Sequence, residues 1–151
     1  MGNLTDRISA DLKTAMLARD ELRTTTLRGL RAAILNEEVA KGLREEGLSD
    51  EAIEQIIARE SKKRDESAAL FEQGGNQVSA DKERTEKELL SMYLPEQLSE
   101  DDIKALVVSA IAQLQPDGMK DMGRIIGAVK SQVGNTADGS VIARLVKEAL
   151  S

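Results

Sequence analysis

Apolar residues that recur at three- and four-residue steps along nearly the whole chain constrain this sequence most. Leu4, Ile8, Leu12, Ala15 and Met16 start the pattern, and Val141, Ile142, Leu145, Val146 and Leu150 end it. That spacing puts one apolar stripe on a 3.6-residue helix. Ala, Leu, Glu, Lys and Arg, all helix-favouring, make up nearly half of the 151 residues. The chain is therefore expected to be all-α. With 40% hydrophobic residues it can build a core without staples.

Breakers divide the pattern into seven helices. The first covers 3 to 18 and the second starts near Asp20, with Leu27, Leu30, Ala33 and Ile34 inward, until Gly42 and Gly47 interrupt it. Ser49 is the N-cap of a third, which runs to about Gln73 with Ile53, Ile56, Ile57, Ala68 and Phe71 as its apolar positions; Asp50 and Glu51 suit its positive end. After Gly74-Gly75, Ser79 starts a fourth through Thr85, Leu89 and Met92, and Pro95 forbids its continuation. Ser99, followed by Glu100-Asp101-Asp102, caps a fifth bearing Ile103, Leu106, Val107, Ala110, Ile111 and Leu114. Pro116-Asp117-Gly118 is a turn, a sixth helix covers about 119 to 133, and Asp138 caps the seventh. Connection lengths and the break at Tyr93-Leu94-Pro95 predict a four-helix bundle over 1–95 and a three-helix bundle over 96–151.

Missing residue types exclude much chemistry. Without Cys or His there is no disulfide frame, thiol nucleophile, Ser-His-Asp triad or histidine base, and neither a metal nor a cofactor is expected. One Tyr and one Phe give no stacking platform for splayed bases. Gly118 to Gly123 and Gly134 to Gly139 have P-loop spacing, but Arg124-Ile125 and Ser140-Val141 stand where Lys and Ser/Thr are required, so both pairs read as helix punctuation. Ser79-Ala80-Asp81-Lys82 matches S-x-x-K without its companion motifs, and capping explains Ser79. Glu45-Glu46 and Glu100-Asp101-Asp102 read as solvated and capping carboxylates rather than a catalytic pair. No apolar run reaches span length, and the start is neither a signal peptide nor a myristoylation site, because Asp6 stands where Ser or Thr is needed. A cytoplasmic protein without membrane partners is expected, which leaves the Asn3-Leu4-Thr5 sequon as chance.

Charge is uneven. The net charge is −6, yet residues 118–147 hold Lys120, Arg124, Lys130, Arg144 and Lys147 against Asp121 and Asp138. These cations, with Arg28 and Arg31 of the second helix, are candidate phosphate contacts; the competing reading is a salt-bridged helix face. Gly123 and Gly127, four apart, bare a strip of backbone where another helix can approach, and packing within the chain is the expected use.

Together with Asp11-Leu12-Lys13 to Met16, five stretches carry a family resemblance: Leu27-Arg28-Gly29-Leu30, Ala33 to Glu38 with Asn36 and Glu38, Tyr93-Leu94-Pro95-Glu96-Gln97-Leu98, Asp121-Met122-Gly123-Arg124 and Ala137-Asp138-Gly139. In their order and spacing they resemble the YqeY-like family, whose tail is similar to the C-terminal domain of GatB, a subunit of the glutamine-dependent aminoacyl-tRNA amidotransferase. The resemblance implies a four-helix bundle followed by a three-helix bundle. It also implies a tRNA-associated accessory module whose partner is tRNA or an enzyme that modifies or aminoacylates tRNA. Any label of carbon-nitrogen ligase with glutamine as amido-N-donor is inherited through the tail. The amidase-type Ser-Ser-Lys centre and the ATP- and Mg²⁺-dependent site are not visible in these residues, so no catalysis is expected of the isolated chain. Carried over by residue, the tail match singles out Lys120, Gly123, Arg124, Lys130, Ala137, Asp138 and Gly139. A non-catalytic helical adaptor that binds other proteins is the alternative.

Overall fold

A computed structural model describes residues 3–151; Met1 and Gly2, on which the reading of the chain start partly rests, lie outside the described residues. Those residues form the α-helices α1 (Asn3–Leu17), α2 (Glu21–Lys41), α3 (Asp50–Gln73), α4 (Gln77–Ser91), α5 (Glu100–Leu114), α6 (Met122–Val133) and α7 (Gly139–Leu150). Short 3-10 turns, Met119–Asp121 and Gly134–Thr136, precede α6 and α7. No strand occurs among the described residues. The chain divides into two compact units, Met1–Leu94 and Pro95–Ser151.

In the first unit, Leu4, Ile8 and Leu12 of α1 meet Leu27, Leu30 and Ile34 of α2, Ile53, Ile56 and Ile57 of α3, Leu90 of α4, and Leu48 and Tyr93. Each large aliphatic side chain buried this way contributes roughly 1.5–3 kcal/mol. The helix ends are set locally. Asp20 accepts from the Arg23 amide, Ser49 from the Ala52 amide, and the Asp50 carboxylate accepts from the Leu4 amide, so the start of α3 caps the start of α1. At the end of α2, Gly42 adopts φ +68, a left-handed conformation that costs glycine nothing, and its amide closes on Glu38 and Val39.

Three expectations are corrected here. Asn76, not Ser79, caps α4: its side chain accepts from the Ser79 amide, so Ser79 lies inside the first turn. Leu90 is fully buried and Leu89 only half-buried, while Met92 is 60% exposed, so the inward face of α4 is turned by one residue from the expected Leu89 register. Phe71 and Met16 are exposed, the first because α3 has run past the shared core by that point.

In the second unit, Ile103, Val107 and Ala110 of α5, Ile125, Val129 and Val133 of α6, and Ile142, Leu145 and Val146 of α7 share one core. Ser99 and Asp102 form a reciprocal capping box at α5. The segment entering α5 is tied down by the Leu98 amide donating to the Thr136 carbonyl at 2.8 Å and by the Gln97 side-chain amide donating to the Asn135 carbonyl at 3.0 Å.

Candidate nucleic-acid interface

The residues singled out in the sequence as phosphate contacts fall in four places. Lys120, Gly123 and Arg124 gather at the start of α6, Lys130 lies at its far end, and Arg144 and Lys147 lie on α7. Arg28 and Arg31 are exposed on α2, in the first unit, where the Arg28 guanidinium lies 3.9 Å from the Met16 sulfur.

At the start of α6 the chain holds its cations with its own carboxylates. Lys120 pairs with Asp117 at 3.6 Å, and Arg124 pairs with Asp121 at 3.5 Å while donating to the Leu114 carbonyl at 3.2 Å. The Asp121 carboxylate accepts from the Asp117 amide at 2.8 Å, and this bond, aided by Arg124 and Lys120, holds its carboxyl below the usual carboxylate range. Arg144 pairs with Glu100 of α5 and Glu148 of its own helix. Asp117, Glu100 and Glu148 all lie outside the 118–147 window, so part of the basic excess counted along the chain is offset in space by carboxylates beyond it. The Lys130 ammonium lies where a side chain at Gly139 would begin, 3.3 Å from a Cβ built there. Asp138 caps α7, accepting from both the amide and the hydroxyl of Ser140 at 2.8 Å.

Gly123 and Gly127 depart from expectation. Both are exposed, and a Cβ built on either meets nothing within 4 Å. Packing within the second unit is therefore not their use; the inward face of α6 is built from Ile125, Val129 and Val133 instead. The bare backbone faces solvent beside Arg124, which is also exposed.

Among the other motif positions, Asn36 is exposed and Glu38 half-buried, Pro95 begins the second unit, and Ala137 is half-buried against its core. Tyr93 proves structural. Its hydroxyl donates to Asp11 at 2.5 Å, the Arg7 guanidinium stacks 4.8 Å from its ring centroid, and Arg7 also donates to the Met92 carbonyl. Burial first, and Asp11 second, push the phenol above its ordinary range. This cluster joins residues 82 positions apart, a separation that no local pattern encodes.

Among the described residues no helix is long and apolar enough to cross a membrane, and no group of acidic side chains is placed to hold a metal ion.

The family model described as Yqey-like protein matches residues 5–150. The chain is 27% identical over 148 residues to "Altered inheritance of mitochondria protein 41, mitochondrial" of Pyrenophora tritici-repentis, which covers 95% of this chain and 79% of that protein. It is 32% identical over 111 residues to the proteins of the same name from Lachancea thermotolerans and Kluyveromyces lactis, each match covering 72% of this chain and 58% of the relative. These relatives are named as mitochondrial proteins, which overturns the cytoplasmic location expected from the sequence. Short apolar runs speak only against a membrane-spanning helix; they do not distinguish one aqueous compartment from another.

Proposed function

Because the chain belongs to the YqeY-like family, we propose that it is a tRNA-associated accessory module, with the start of α6 as the surface that meets the RNA backbone. The observation that supports this reading is the exposed pair Gly123 and Gly127 beside Lys120 and Arg124. A solvent-facing glycine inside a helix costs about 1 kcal/mol relative to alanine. Two of them in a twelve-residue helix, with no packing neighbour to compensate, fit a face kept bare for close approach. On docking, phosphates would replace Asp117 and Asp121 as partners of Lys120 and Arg124. That exchange recovers only part of the attraction, so the expected affinity is modest and sensitive to salt.

Any link to glutamine-dependent tRNA amidation would then run through an enzyme that this chain assists. Incubated with glutamine, ATP, Mg²⁺ and mischarged tRNA, the isolated protein should yield no amidated product.

The test is a titration of folded tRNA across a range of salt concentrations. Binding should fall linearly on a logarithmic salt scale, and Lys120→Ala with Arg124→Ala should weaken it for all tRNAs and flatten the slope by about one unit per lost contact. Absent or salt-independent binding refutes the proposal. A second reading, a protein-binding adaptor, is favoured by Leu70, Phe71 and Val78, exposed around the turn between α3 and α4. A partner retained after nuclease treatment and in high salt would support it over the first.

A further inference from the structure

The α3–α4 hairpin is two structures in series. Where α3 enters it and α4 leaves it, Ile53, Ile56, Ile57 and Leu90 belong to the core of the first unit. Between Ile57 and Leu90 the buried residues are Ser61, Ala68 and Ala80, and none of them joins that core cluster. Alanine and serine bury little apolar area, and the Ser61 hydroxyl has no hydrogen-bond partner. Larger apolar side chains in this stretch face outward instead: Leu70 is 68% and Val78 82% exposed.

Charges bridge the two helices. Lys87 meets Asp65 at 2.6 Å and Arg84 meets Glu72 at 2.8 Å. Arg64 lies 3.5 Å from Glu86, but its Nε makes no hydrogen bond. Burial and the nearby Glu83 raise the Glu86 carboxyl despite Arg64, so that pair contributes little. The two exposed pairs are accessible to mobile ions and screened by them.

We infer that residues 61–86 form an arm that opens as one unit while the core of the first unit stays folded, with Asp65–Lys87 and Glu72–Arg84 as an ionic clasp that rising salt loosens. A segment with few large apolar contacts and solvent-exposed fastenings belongs to the low-stability end of a structure. The step in composition after Ile57 and before Leu90 sets where opening stops.

Amide hydrogen exchange of the full chain tests this at about 0.02 M and about 0.5 M NaCl, conditions that span weak and strong screening. Amides of residues 61–86 should exchange together and roughly tenfold faster in the higher salt, the scale expected of two exposed pairs with a coupled helix interface. Amides near Ile57, Leu90, Ile125 and Ile142 should not respond. The double variant Arg84→Met, Lys87→Met should exchange fast in the arm even at low salt and lose the salt response. The inference is overturned if the arm shares the protection of Ile53 and Ile57, if exchange only grades outward from Gly74 without a common step, or if the double variant leaves the arm unchanged.

Discussion

Replacing Gly123 and Gly127 together by alanine sets stability against function. Both sit in regular helix, since neither is among the positive-φ glycines, and a methyl group at either meets nothing within 4 Å. The substitution therefore introduces no clash, and its effect within the chain is helix propensity, about 1 kcal/mol per site. Summed over the pair this is about 2 kcal/mol, or roughly 8–16 °C in the melting midpoint of a cooperative unit the size of Pro95–Ser151. Thermal melting followed by circular dichroism measures that gain. The same preparation titrated with tRNA measures the other side: if the bare backbone is where a phosphate chain lies, two methyl groups hold it off, and affinity should drop about tenfold, ~1.4 kcal/mol. Gly29→Ala, at an exposed helical position of the first unit that is equally open, is the comparison for stabilisation alone. Stabilisation with undiminished tRNA binding refutes the use assigned to this face. No stabilisation at all refutes the claim that the glycines lack a partner within the chain.

Other expectations are more local. Tyr93→Phe removes the donor from Asp11 and should destabilise the first unit by about 1–3 kcal/mol in chemical denaturation, the range for leaving a part-buried acceptor without its partner. Leu90→Ala should cost about 2–5 kcal/mol and Leu89→Ala markedly less; equal losses would contradict the register of α4. Glu86 has a folded-state pKa raised chiefly by burial, so its ionised form is disfavoured on folding. Its destabilising effect is full above the raised value and gone below the ordinary carboxyl range near 4.5. Glu86→Gln should therefore be more stable than the parent at neutral pH and lose that advantage on acidification, as followed by denaturation across pH; an advantage that grows toward acid would reverse the sign.

Helix ends were legible in the sequence where a cap acts on its own first turn: Ser49, Ser99 and Asp138 each hold the amides their positions predicted. The same logic failed at α4, where Asn76 and Ser79 are both good capping residues three apart and the chain leaves its Gly74-Gly75 turn in time for the first. The inward register of α4 slipped by one residue, because a 100° turn between Leu89 and Leu90 is decided by what lies opposite. At the candidate interface, the cations and most of their partners are close in sequence: Asp117 and Asp121 each lie three residues before Lys120 and Arg124, and Glu148 lies four after Arg144. Only Glu100, which reaches Arg144 from another helix, is beyond a local pattern. Composition likewise does not reveal whether Gly123 and Gly127 face a neighbour or solvent; that depends on which side of α6 presents Ile125 and Val129.

The bond between Tyr93 and Asp11 lies two residues before the second unit begins at Pro95. A tug arriving along the backbone from that side meets first the Leu94 amide on the Ser91 carbonyl, and next a phenol anchored to the opposite end of the first unit's sequence, ahead of the remaining hydrogen bonds of α4. Mechanical load is thereby shunted into α1 through Asp11 and Arg7, leaving the last turn of α4 to be unravelled only after that fastening has given way.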